Sequence, residues 1–181
     1  YVARRREMRD RVRDANRDLI LARLVGRKVA VASHDDRTED EVASWHASGV
    51  RISEFPVSLV AAEAAKRHGM GVVAGGPNIV RGGSHSGNVA AADLVARGLV
   101  DVFASDYIPS SMLTSAMLLH DRHGIALPRA IATIAAEPAR MVGLDDRGRI
   151  ASGLRADLMQ VHLADGHPLV RQVWREGRRI A

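Results

Sequence analysis

Three side chains in this chain stand where acid–base or metal chemistry is most easily built. His34, Glu54 and Asp106 each follow a short apolar run: 28–33 (KVAVAS), 50–53 (VRIS) and 99–105 (LVDVFAS). Each run reads as a strand, so each side chain emerges at a strand's C-terminal end. An imidazole at that place, followed by Asp35 and Asp36, can bind a divalent metal through one ring nitrogen while a carboxylate orients the other. The plainer alternative for His34 is a surface histidine at a loop start. Asp106 can ligate a metal and take a proton from bound water, or it can serve as a turn cap before Pro109. Glu54 is followed by Phe55 and Pro56, which pin its turn. It can act as a metal ligand, as an acid or base, or as a loop-organising acceptor.

The stretch 75–88 (GGPNIVRGGSHSGN) is the other chemical feature. Its five glycines, Gly75, Gly76, Gly82, Gly83 and Gly87, allow positive φ and inward-facing N–H groups. Arg81 offers a two-pronged donor to an anion, and Ser84 and Ser86 offer hydroxyls. A helix expected to follow would present its N-terminus. This composition suits an anionic oxygen ligand such as phosphate. It is not a Walker loop, because no Gly-Lys-Ser/Thr follows. His85 in its middle can be a metal ligand, a phosphate contact, a proton donor or a solvent-facing histidine. The bland reading of the whole stretch is a flexible surface loop.

The elements that must position these residues alternate regularly. A helix over 4–25 carries Met8, Val12, Leu19, Leu21, Leu24 and Val25 as a partial apolar stripe. After it come a strand at 28–33 and a helix opened by the capping box Thr38 to Glu41. Strand 50–53, helix 57–68 and strand 70–74 follow. Helix 88–97, strand 99–105, a helix capped by Ser110 or Ser111 and running to His123, and a helix opened by Pro128 complete the series. Strand thus alternates with helix four times. The strands are short and apolar without alternation, as in a parallel sheet buried on both faces. Residues with chemistry sit past the strand ends, where α/β barrels and open doubly wound sheets both place their sites. Four such units cannot close an eight-stranded barrel, so either the sheet is open or four units lie outside this chain. After Gly143 the pattern changes: 148–150, 157–161, 170–174 and 178–180 read as strands of a small β subdomain, the last two flanking a Glu176-Gly177 turn.

Composition narrows the function. The 181 residues contain no cysteine, so any metal is held by histidine and carboxylates. Aromatics are 3%, which argues against a base-stacking nucleic-acid module. The net charge of +5 is concentrated early, with seven arginines before Asp18. They are interleaved with acids as on a solvated, ion-paired helix face, so no nucleic-acid partner is expected. No membrane-spanning run and no signal peptide are apparent, and a cytoplasmic setting is expected.

With these residues laid out, the chain resembles the C-terminal half of amidohydrolase-superfamily enzymes. The resemblance rests on 32–36 (ASHDD), 52–56 (ISEFP), the 75–88 loop, 103–107 (FASDY) and 135–144 (AEPARMVGL after Ala135). Within the superfamily it is most similar to the diphosphatases of phosphonate catabolism. The resemblance implies an α/β fold: residues 1–143 as about four βα units of a metal-dependent-hydrolase TIM barrel, and 144–181 as part of a small β subdomain. It implies a divalent metal, zinc above others, with His34 and Asp106 as ligands and Asp106 as general base. Glu54 stands where the superfamily carries histidine, and His85 can supply that imidazole from the next loop. It implies a phosphorylated small-molecule substrate held by Arg81, Gly82, Gly83, Ser84, His85 and Ser86, and hydrolysis of a 5-triphosphate to a 5-phosphate and diphosphate. It also implies a homo-oligomer and an N-terminal barrel half carrying the remaining metal ligands. A deaminase or amide-bond hydrolase on the same scaffold, and a non-catalytic fragment, are the competing readings.

Overall fold

The apolar runs become a parallel sheet of four strands: β1 (Ala32–His34), β2 (Ile52–Glu54), β3 (Gly71–Gly75) and β4 (Val102–Ala104), paired in sequence order. The computed structural model describes residues 2–24, 26–84 and 86–181. Helix α1 (Val2–Leu24) precedes the sheet. Helices α2 (Glu39–Ala47) and α3 (Leu59–Arg67) are the first two crossovers, and α4 (Gly76–Arg81) with α5 (Ala91–Ala96) forms the third. Helices α6 (Ser111–His123), α7 (Leu127–Ala132) and α8 (Ala136–Met141) follow β4. A second, antiparallel sheet contains β5 (Leu158–Ala164), β6 (His167–Arg175) and β7 (Arg178–Arg179). No described helix is long and apolar enough to cross a membrane.

Local chemistry sets the crossovers. Thr38 caps α2 by accepting from the Glu41 N–H at 3.2 Å, and Ser58 caps α3 by accepting from the Ala61 N–H at 3.0 Å. The buried face of α3 is Ala61, Ala62, Ala64 and Ala65, so the helix lies close on the sheet. One face of the sheet meets the helices in two clusters. Val72 joins Val42, Val50 and Met70. Ala74 and Phe103 join Ile79, Val95, Leu119 and Ala130. Residues one step out of phase, Ile52, Val73 and Val102, form the opposite face, where Met141 of α8 packs. A Cβ built on Gly71 would lie 2.5 Å from the Met141 methyl, so glycine there admits that side chain. The N-terminal side of the sheet is pinned by Asp101, which accepts from Lys66 at 2.7 Å and from the Val72 N–H at 2.8 Å. The free edge of β4 is partly covered, because the Phe103 N–H donates to the Thr133 carbonyl at 3.1 Å.

Four strand–helix alternations are observed, as the sequence predicts, with boundaries moved by a few residues. Three expectations need correction. Of the apolar stripe on α1, Leu21 packs on the core while Met8, Val12 and Leu19 stay exposed; Val25 lies outside the described residues. Residues 148–150 are not a strand, because Gly148 (φ 92°) takes the chain past Ala135 and Ala136 with no strand beside it. The cap of α6 is Ser110, but its side chain makes no capping bond; the Ser111 hydroxyl turns instead to the Ile108 carbonyl at 2.6 Å. The expected Glu176-Gly177 turn is present, with both residues at positive φ (54° and 77°), as a tight hairpin requires.

Candidate functional site

The C-terminal edge of the parallel sheet holds three left-handed non-glycine residues. Asp35, Phe55 and Asp106 have φ of 60°, 53° and 49°. Each lies one or two residues past the end of β1, β2 or β4. A left-handed non-glycine residue costs about 1–3 kcal/mol, and such residues gather where structure serves a site. Phe55 is the most telling, being bulky in a conformation that glycine favours. The strand ladder continues into these turns: the Asp35 N–H donates to the Glu54 carbonyl at 3.0 Å, and the Phe55 N–H to the Val73 carbonyl at 2.9 Å.

A cleft of about 300 Å³ opens at this edge. His34, Arg81, Gly83, Ser84, Ser86 and Asp106 all line it. The His34 Nδ1 lies 3.2 Å from the Asp35 carboxylate, which leaves Nε2 as the nitrogen not engaged by that carboxylate. The His34 ring meets Phe55 edge-on, with centroids 5.3 Å apart. Phe55 and the Asp106 carboxylate both lie over Gly75: a Cβ built there would be 3.7 Å from Phe55 Cε1 and 3.9 Å from Asp106 Oδ2. Phe55 therefore stands beside both His34 and the space over Gly75 that Asp106 shares.

The other predicted residues are placed differently. Glu54 is in register with His34, yet it does not line the cleft. Gly82 does not line it either. His85 lies outside the described residues. The expected glycine loop is half helix, because Pro77 starts α4 directly after β3. Only Gly82 (φ 83°) and Gly87 (φ 74°) of its five glycines use positive φ. Gly76 serves close packing instead: a Cβ there would lie 2.5 Å from the Ser111 hydroxyl. The loop amides are also not offered to a ligand as expected. The Gly82 and Gly83 N–H groups close α4 onto the Ile79 and Asn78 carbonyls, and the Ser86 N–H donates to the Ser84 hydroxyl oxygen at 3.1 Å. Helix α5 begins at Ala91, three residues later than expected, and the Ala91 N–H donates to Asn78 Oδ1 at 2.9 Å. Among the described residues, anion-holding capacity thus rests on the Arg81 guanidinium and the Ser84 and Ser86 hydroxyls.

Sequence reasoning missed Phe55, Asn78, Asn88 and Tyr107 as cleft residues. Asn78 was readable as polar and close to Arg81, but its double role was not: it accepts from Ala91 N–H and donates to the Val89 carbonyl at 3.3 Å, tying the returning loop to α4.

Among the described residues no group of three or more His, Cys, Asp or Glu side chains comes together to hold a metal. His34 and Asp106 share the cleft, but two donors fall short of the three or four protein ligands of a zinc site. The described residues therefore do not by themselves make a metal centre.

No family model matches the chain. Alpha-D-ribose 1-methylphosphonate 5-triphosphate diphosphatase of Escherichia coli (strain K12) is 48% identical over 167 residues, covering 91% of this chain and 44% of that protein. Dihydroorotase of Methanopyrus kandleri is 35% identical over 88 residues, covering 39% of this chain and 21% of that one. Among solved structures, N-acetylglucosamine-6-phosphate deacetylase from Pasteurella multocida superposes with a TM-score of 0.70 at 13% identity, covering 91% of this chain and 54% of that one. An amidohydrolase from Thermotoga maritima superposes with a TM-score of 0.66 at 21% identity, covering 85% and 44%. The chain spans less than half the length of the curated relatives it matches. These likenesses show the fold, the mixed α/β architecture of part of an amidohydrolase barrel. The likeness to the Escherichia coli relative runs over 91% of this chain.

Proposed function

We propose that this chain carries the proton-handling and phosphate-holding side of a hydrolase that cleaves a phosphoanhydride, with alpha-D-ribose 1-methylphosphonate 5-triphosphate, the compound in its relative's name, as substrate. The observation that carries the reading is one cleft lined by a strand-end imidazole, a strand-end carboxylate, a guanidinium and two serine hydroxyls. Asp106 accepts the proton of the attacking water. The water oxygen bonds to the phosphorus nearest the sugar, the bond to the bridging oxygen breaks, and diphosphate leaves with that electron pair. The 5-phosphate remains. Arg81 balances the charge on the phosphoryl oxygens, and Ser84 and Ser86 donate to them. The site residues assigned on the sequence, His34, Glu54, Asp106, Arg81, Gly82, Gly83, Ser84, His85 and Ser86, belong to this reading. Phosphate holding is weighted to Arg81 and the serines, since the amides of Gly82 and Gly83 are engaged within the chain.

Superfamily members generally use divalent metals. In this reading His34 and Asp106 would be two ligands of a zinc ion, with the remaining ligands supplied from outside this chain. A bound cation would supply a more acidic water and extra charge for the phosphoryl oxygens. Residues 144–181 as a separate β subdomain, a homo-oligomer and a cytoplasmic setting complete the reading. The test is product analysis with the full protein: the triphosphate substrate yields one diphosphate and one 5-phosphate in equal amounts. Release of orthophosphate alone, or no phosphorus product beside release of ammonia from an amino-substituted ring, refutes it.

A further inference from the structure

The buried polar group that the proposed reaction leaves unused is Asp36. Its residue is 2% exposed, deeper than any other carboxylate near the cleft. One of its oxygens, Oδ2, accepts from both the Ser33 and the Ser53 hydroxyls, each at 2.6 Å. Both are short hydroxyl-to-carboxyl hydrogen bonds. Ser33 also lies 3.2 Å from the Ile52 carbonyl, but its single proton favours the shorter partner. Ser33 and Ser53 are themselves buried and stand opposite one another in the β1–β2 register. They point away from the face that His34 and Glu54 share. The Asp36 carbonyl then accepts from the Val57 N–H at 2.9 Å, which joins the turn after β1 to the turn after β2.

These bonds bracket the two left-handed residues Asp35 and Phe55. Strands of three residues hold each other with few ladder bonds, and the two turns are otherwise joined by the Asp35 N–H on the Glu54 carbonyl at 3.0 Å and the Ser58 hydroxyl on the Arg37 carbonyl at 2.6 Å. The chain leaves β1 at His34, reverses at Asp35, and returns Asp36 beneath the strands to take both serines.

We propose that Asp36 is a positioning residue: its buried carboxylate ties the ends of β1 and β2 together and so fixes His34 against Phe55 in the cleft. Its importance for turnover rests on the proposed function, but the geometric claim does not. A carboxylate oxygen that accepts two hydroxyls can be replaced by an amide oxygen, so Asp36→Asn keeps the clamp and Asp36→Ala removes it.

The test is the nuclear Overhauser effect (NOE) between the His34 and Phe55 rings in the full protein, labelled at histidine and phenylalanine. His46 and His68, whose rings stack 4.8 Å apart on α2 and at the end of α3, give the internal control. Wild type and Asp36→Asn show the His34–Phe55 effect; Asp36→Ala loses it while the His46–His68 effect persists. Should Asp36→Ala fail to fold, Ser53→Ala removes one of the two donors and weakens the same signal. An unchanged His34–Phe55 effect in Asp36→Ala, or in both Ser53→Ala and Ser33→Ala, overturns the proposal. So does equal loss in Asp36→Asn. A protein that shows the expected ring signals but releases no diphosphate defeats the functional reading and leaves the clamp standing.

Discussion

Replacing Gly76 with alanine tests how the wall of the cleft is held. The new methyl would lie 2.5 Å from Ser111 Oγ, 3.0 Å from Ser115 Oγ and 3.1 Å from Ser111 Cβ, where ordinary contact begins at 3.4 Å. The nearest oxygen cannot swing away freely, because Ser111 donates to the Ile108 carbonyl at 2.6 Å. Ser115 is likewise held, donating to the Ser111 carbonyl at 2.6 Å. Relief must come from separating α4 from α6 by several tenths of an ångström. Overpacking of this kind costs about 1–3 kcal/mol. Alanine's helix preference returns at most about 1 kcal/mol, and less at a first helical residue. The net expectation is a loss of about 1–2 kcal/mol, read as a lower urea midpoint at unchanged slope. Gly76→Ala combined with Ser111→Ala removes the worst contact, so the double variant is more stable than the sum of the single changes predicts. Because α4 carries Asn78 and Arg81, Gly76→Ala also raises KM for a phosphorylated substrate. Urea midpoints for Gly76→Ala equal to or above wild type would refute the close-packing argument.

Further outcomes follow from other parts of the chain. Arg81→Ala raises KM for the triphosphate about tenfold, the loss of roughly 1.4 kcal/mol expected for one exposed charge-assisted contact, and leaves a neutral ester almost unaffected; steady-state kinetics on both substrates decide it. Glu137 accepts from Arg140 and Arg129, and those hydrogen bonds hold its carboxyl below the ordinary 4.5. Its contribution is therefore present above pH 4.5 and lost as pH falls through the lowered value, so Glu137→Gln flattens the acid limb of a stability-against-pH profile. Partial burial, Arg51 and the stacked His68 hold His46 below its ordinary 6.5. Its neutral form favours the folded state, so stability falls as pH drops from 6.5 through the lowered value, and His46→Gln removes that slope in urea titrations at successive pH values.

The sequence was most legible where period, cap and stop agree. Thr38 and Glu41, the glycines after α2 and α3, and the four apolar runs all point to one alternation of strand and helix, and the sheet follows them. The placement of His34 and Asp106 at one edge followed from the same alternation. What could not be read was the use of individual glycines. Gly75, Gly76 and Gly83 look like loop residues, yet Gly76 is spent on contact with Ser111 across α6, a partner 35 positions away in the chain. The amides of Gly82 and Gly83 were expected to face a ligand; the short helix opened by Pro77 claims them first. Glu54 shows the limit of strand-end reasoning, since register with His34 did not bring it into the cleft lining. Asp36 was hidden for the opposite reason: it follows His34 and Asp35 as a loop acid, while its two partners are serines on separate strands.

The measurement that bears most directly on the account is diphosphate release by Asp106→Asn in the full protein, beside wild type at matched folded fraction. A general base contributes about 10²–10⁴-fold, and the account predicts a fall in kcat of at least a hundredfold with the urea midpoint little changed. Turnover within about tenfold of wild type would show that the carboxylate above Gly75 does not take the proton, and the cleft would lose its claim to be the active site.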